Sequence, residues 1–165
     1  MIPKNVEWIF VLDKDETYDV RQYLNKDFLA SNPNGCAFLD RSGKRRLELH
    51  PNGVAKILAT YAWDGCTPKY SLWDIAFGTP DGIPNKTTTK PKAYYASLFH
   101  DAFYQFLAVD IPISRANADR VFLEILTRDG FAPRRIYFFA VRIFGGGFRF
   151  FTRWKRSYAG KKAPL

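Results

Sequence analysis

Lys92-Ala93-Tyr94-Tyr95-Ala96-Ser97-Leu98-Phe99-His100-Asp101-Ala102-Phe103-Tyr104-Gln105-Phe106-Leu107 decides the fold. Tyr95, Leu98, Phe99, Ala102, Phe103 and Phe106 recur at helical spacing and give a broad apolar face. A helix over 92–107 follows, with His100, Asp101 and Tyr104 in its second half. Ile111-Pro112 breaks it. Ser114 is then a good N-cap for a second helix, Arg115–Arg128, whose apolar positions are Ala118, Val121, Phe122, Ile125 and Leu126. Gly130 closes that helix. Pro133 opens a third, running to Phe144 and stopped by Gly145-Gly146-Gly147. The short link between the first two makes them antiparallel neighbours.

Upstream the signals are those of strands. Val6–Leu12 is a short β-branched and aromatic run. Cys36–Asp40 and Arg45–His50 flank Arg41-Ser42-Gly43-Lys44, a hairpin turn. His50-Pro51-Asn52-Gly53 makes a second turn leading into Val54–Trp63. The expected class is α+β: an N-terminal β-rich portion packed on an antiparallel helix pair, plus a third C-terminal helix. One domain, 1–165, is expected, with a β-rich part (1–66), a long loop (67–91), a helical part (92–144) and a basic aromatic tail (145–165). A loop as long as 67–91 is uncommon in compact domains and usually has a function.

At 165 residues the chain supports one core, and 47% hydrophobic and 17% aromatic content is enough to fill it. No apolar run approaches the roughly 20 residues of a membrane-spanning helix. Charge and proline come too early after Met1 for a signal peptide, so the expected location is the cytoplasm of the producing cell. Two cysteines are too few for a disulfide scaffold or a zinc knuckle, and with only His50 and His100 besides, a metal centre here would rest mostly on oxygen ligands and favour calcium or magnesium over zinc. The charge is polarised. Residues 1–127 hold 15 basic and 15 acidic side chains, whereas 128–165 hold 10 basic and one acidic, which accounts for the net +9. A basic end calls for an anionic partner: lipid headgroups, nucleic acid or an acidic protein face.

Four residues of the helix pair carry candidate chemistry. Tyr104 follows His100 at i+4 on the same face. His100 lies about 12 Å and Asp119 about 8 Å from the connecting turn, so the two side chains can face each other. A carboxylate opposite an imidazole fixes its tautomer and strengthens it as a base toward water. Asp101 points about 100° away around the helix, free to ligate a metal. In the turn Asp64-Gly65-Cys66, the Asp64 carboxylate and backbone carbonyls could complete an all-oxygen calcium site. Taken singly, each residue has a plainer reading: packing for His100, core for Tyr104, a helix-end charge for Asp119. Their co-occurrence carries the argument.

At these residues the chain resembles known families. Phe99-His100-Asp101-Ala102-Phe103-Tyr104 resembles the His-Asp-x-x-Tyr motif of secreted phospholipases A2, most closely the small bacterial and fungal class. Ala116–Glu124 resembles the second helix of that motif. The resemblance implies His100 as general base, Asp119 as its orienter, Tyr104 hydrogen-bonded to Asp119, and Asp64, Asp101 and the Gly65 carbonyl as calcium ligands. The gap from Asp64 to His100 is longer than in that class, and its second disulfide is missing; Cys36 and Cys66 are left as a pair or as free thiols. Four motifs together resemble domain of unknown function family 1353 of phages and bacteria, over roughly residues 45–147. These are Trp63–Pro68, His100-Asp101-x-x-Tyr104, Ser114–Phe122 and Tyr137-x-x-Ala140-Val141-Arg142-x-Phe144-Gly145.

The tail Phe148–Arg156 interleaves aromatics with arginines. It reads either as a final strand with one core face or as a segment meeting lipid or nucleic acid. The leading expectation is a calcium-dependent, phospholipase A2-like ester hydrolase acting at a phospholipid or anionic membrane surface. Its rival is a non-catalytic phage virion component, associated with tail or capsid, that contacts other virion proteins. A nucleic-acid-binding module ranks below both.

Overall fold

The fold is α+β. A computed structural model describes residues 10–63, 65, 83–147 and 159–165. A five-stranded antiparallel sheet has the order β2-β5-β4-β3-β7, built from β2 (Glu16–Asp19), β3 (Cys36–Asp40), β4 (Arg45–Leu49), β5 (Val54–Ile57) and β7 (Ala159–Pro164). A two-stranded ribbon pairs β1 (Phe10–Val11) with β6 (Ala62–Trp63). Four helices complete it: short α1 (Phe28–Ser31), then α2 (Tyr94–Phe106), α3 (Arg115–Arg128) and α4 (Arg134–Gly147).

Local chemistry sets the helix ends. The Ser114 hydroxyl accepts from the Asn117 N–H at 3.1 Å, capping α3 where the sequence places its start. Gly130 has φ +67°; its N–H reaches the Thr127 carbonyl and the Phe131 N–H that of Leu126, the paired closure of a Schellman turn. Lys92 Nζ donates to the Gly130 carbonyl at 3.0 Å, tying the start of α2 to the end of α3 and fixing the pair as antiparallel.

The core lies between sheet and helices. Phe38 meets Phe106 at 5.6 Å between ring centroids, and Tyr18 meets Phe99 at 5.6 Å, so α2 lies along the sheet. Trp63 is fully buried; its ring packs edge-on to Tyr94, and its indole N–H donates to Ser97 Oγ at 3.1 Å. Tyr61 donates to Gln105 Oε1 at 3.0 Å. These two bonds satisfy polar groups inside an apolar layer and set the register of α2 against β6.

Four expectations need correction. The stretch Val54–Trp63 is two strands, because Thr60 takes φ +70° and the chain turns between them. Gly145–Gly147 belong to α4 and do not stop it, since glycine permits a left-handed closure without requiring one. The end of the 145–165 segment is no tail: Ala159–Pro164 forms β7, antiparallel to β3. Finally, β2 and α1 arise in a stretch where no element was expected. Phe148–Arg156, Val6–Ile9 and most of the 67–91 loop lie outside the described residues. Within that loop, Pro84 and Pro91 form an isolated bridge around a turn at Asn85–Thr89. No helix among the described residues is long and apolar enough to cross a membrane.

Candidate active site

His100 sits two turns into α2 and Asp119 one turn into α3, at matching heights of the antiparallel pair. Their side chains meet: His100 Nε2 is 3.1 Å from Asp119 Oδ1. The Tyr104 hydroxyl donates to the same oxygen at 2.6 Å. The second oxygen of Asp119 faces α4, where Arg142 Nη1 lies 3.2 Å from Oδ2. Arg115 Nε donates to the Tyr104 hydroxyl at 3.1 Å, and Arg115 Nη2 to the Arg142 carbonyl at 2.6 Å. One fully buried carboxylate thus joins three helices.

The electrostatics follow from these contacts. Burial pushes the Asp119 carboxyl up, but hydrogen bonds from His100, Tyr104 and Arg142 outweigh it, and the net shift is downward. Asp119 is therefore an anion that only accepts, so the Nε2 it faces carries the imidazole proton. Burial first, then the Asp119 carboxylate, raise the Tyr104 hydroxyl far above the ordinary tyrosine range, so it stays a donor. The His100 ring packs against Tyr104 (4.1 Å) and Phe122 (4.9 Å), which limits its rotation. Its other nitrogen, Nδ1, lies away from Asp119, 3.9 Å from Asp101 Oδ1.

Asp101 is buried on α2 directly beside His100. Gly65, with φ +73°, lies past the end of β6. Asp64, the second carboxylate expected at a calcium site, lies outside the described residues. Among the described residues no group of three or more His, Cys, Asp or Glu side chains could hold a metal ion. Asp101 and the Gly65 carbonyl are hard oxygen donors of the type calcium takes. Cys36 is a buried free thiol, and burial pushes it up to about 11.

Two positively charged residues escaped the sequence reading. In the sequence Arg115 is only the first residue of the second helix, and Arg142 only part of the basic end. Both lie within the motif stretches quoted above, yet no periodicity places Arg115 on Tyr104 or Arg142 on Asp119. Glu124 was missed as well. It accepts from the Tyr18 hydroxyl at 2.7 Å and from the Tyr23 hydroxyl, clamping α3 to the edge of the sheet.

Two clefts lie away from the dyad. One of about 550 Å³ lies between α1 and the α2–α3 connection, lined by Asn32, Asp110 and Asn117 among others. The other, about 420 Å³, is flanked by Tyr95, Phe99 and Arg128. Neither is lined by His100, and neither brings a base and its orienter together. No family model matches the chain, and no curated protein or solved structure matches it.

Proposed function

We propose that the protein is an ester hydrolase resembling the phospholipases A2, with His100 and Asp119 as a dyad that activates water. The observation that carries this reading is the 3.1 Å contact between His100 Nε2 and an Asp119 carboxylate held ionised. With Nε2–H donated to Asp119, the lone pair sits on Nδ1. That nitrogen takes a proton from water as the oxygen attacks the ester carbonyl. Asp119 stabilises the imidazolium, which then returns the proton to the departing alkoxide. Tyr104 and Arg142 hold the carboxylate in place. Calcium, held by Asp64, Asp101 and the Gly65 carbonyl, would supply Lewis-acid polarisation of the ester carbonyl when bound. The substrate class is a phospholipid at an anionic membrane surface.

A direct test is fatty-acid release from phospholipid micelles in calcium, comparing wild type with His100→Gln and Asp119→Asn. Loss of a general base costs roughly 10²–10⁴ in rate. Equal rates in all three proteins, or none in wild type, would remove the reading.

A second reading is favoured by one observation: Asp119 also pairs with Arg142, so the cluster ties α2, α3 and α4 together whether or not it turns over a substrate. On this reading the chain belongs with the phage and bacterial family 1353, is a structural or accessory virion protein, and uses its basic end to contact other virion proteins. Reconstituted virions that lose the protein when its basic residues are neutralised, together with an inactive wild type, would select it. Nucleic acid remains third, tested by a steep salt dependence of binding.

A further inference from the structure

Helix α4 presents apolar side chains to solvent. Among the described residues, the exposed large hydrophobics are Val11, Ile83, Ile136, Phe139 and Ile143, and the last three share one helix. Their spacing of i, i+3 and i+7 sets them on a single face. Each is more than 60% exposed: Ile136 71%, Phe139 61% and Ile143 64%. The other side of α4 is engaged, with Tyr137 edge-on to Phe131 at 4.9 Å, while Arg142, at the edge of the stripe, reaches back to Asp119. A stripe of this kind on an otherwise packed helix marks a contact surface.

Charge selects the occupant. Helix α4 carries Arg134, Arg135 and Arg142 and no acidic residue, within the segment that holds the whole net positive charge. Pairing α4 with α4 of a second copy would set arginines against arginines. An anionic lipid surface has the opposite properties: it accepts apolar side chains at any spacing, and its phosphates neutralise Arg135, which flanks the stripe. A helix with an apolar face and a cationic flank lies in the plane of such an interface.

We infer that α4 is the face on which the protein lies against an anionic lipid surface, with Ile136, Phe139 and Ile143 entering the apolar layer and the exposed Arg135 beside them on the headgroups. Its purpose rests on the hydrolase reading, because α4 also delivers Arg142 to Asp119 and so sets the interface beside the dyad; its chemistry does not.

The test is co-sedimentation with vesicles of phosphatidylcholine and phosphatidylglycerol, read without turnover. The proteins are wild type, His100→Gln, the triple variant Ile136→Ser, Phe139→Ser, Ile143→Ser, and Arg135→Gln. The expected result is equal binding by wild type and His100→Gln, and about a hundredfold weaker binding by the triple variant. The Arg135→Gln protein should bind more weakly and lose part of its preference for anionic over pure phosphatidylcholine vesicles. Unchanged binding by the triple variant would assign attraction to other basic residues and overturn the inference. So would a wild type that ignores vesicles, binds only an acidic polypeptide, or forms a dimer that the triple variant does not. An inactive wild type that still binds through α4 would sink the hydrolase reading and leave this one standing.

Discussion

Arg142 Nη1 stands 3.2 Å from Asp119 Oδ2, on the carboxylate oxygen that His100 does not use. Asp119 thereby shares its charge between an imidazole on α2 and a guanidinium on α4. A buried anion with partners on both oxygens is held in one orientation, which a general base needs from its orienting group.

Asp119→Asn should be strongly destabilising. The amide cannot match the charge-assisted bonds from His100, Tyr104 and Arg142, and its NH₂ would face at least one donor. Removing one partner of a buried ion pair costs about 3–5 kcal/mol, and half-exposed Arg142 brings the expectation down to about 2–3 kcal/mol. Urea unfolding at neutral pH checks it; a change under about 0.5 kcal/mol, the size of an ordinary surface substitution, would contradict it.

Acid should weaken the wild type through the same residue. The folded-state carboxyl of Asp119 is shifted below its ordinary 3.8, so its contribution is fully present above that value and is lost as pH falls through the lowered folded value. Asp119→Asn should therefore flatten the acid limb of the stability curve below about pH 4. Parallel acid limbs would show that Asp119 titrates alike in folded and unfolded chains.

Tyr104→Phe removes a hydroxyl that donates to Asp119 and accepts from Arg115. The ring keeps its packing on His100, so the loss is polar. About 1–2 kcal/mol is expected, since the mutation leaves a buried acceptor short of one donor. Activity should fall less than in His100→Gln, because the dyad contact remains. A Tyr104→Phe protein as inactive as His100→Gln would give Tyr104 a direct role with substrate.

Calcium at millimolar concentration should raise the melting temperature by binding linkage if Asp101 is a ligand, and Asp101→Asn should abolish the rise. Magnesium, which demands tighter geometry, should act more weakly. An equal calcium shift in wild type and Asp101→Asn would remove Asp101 from any metal site.

Gly160 marks the close approach of β7 to β3. A Cβ placed there would lie 2.3 Å from the Asp40 carbonyl oxygen, a backbone atom that cannot swing aside. Gly160→Ala should cost about 1–3 kcal/mol through the forced shift. Faster amide exchange confined to β3 and β7 would be its signature, and unchanged exchange there would exclude it.

Local sequence determined the helix pair and its ends. The apolar spacing of 95–106 and 118–126, the Ser114 cap and the Gly130 closure are all interactions within one turn of chain, and they emerge as read. Helical rise alone also set His100 opposite Asp119, because the short connection leaves one way to pair the helices. Longer-range placements came only with the tertiary structure. Ala159–Pro164 carries two lysines, a glycine and a proline, weak strand formers that are extended here because β3 offers an open edge of backbone donors and acceptors. Arg142 sits 23 residues from Asp119, on a helix whose direction is fixed by its packing on α3 rather than by any pattern of its own. The exposed stripe on α4 belongs to the same class: periodicity announces an apolar face, but only the packed molecule decides whether that face is turned inward or left to solvent.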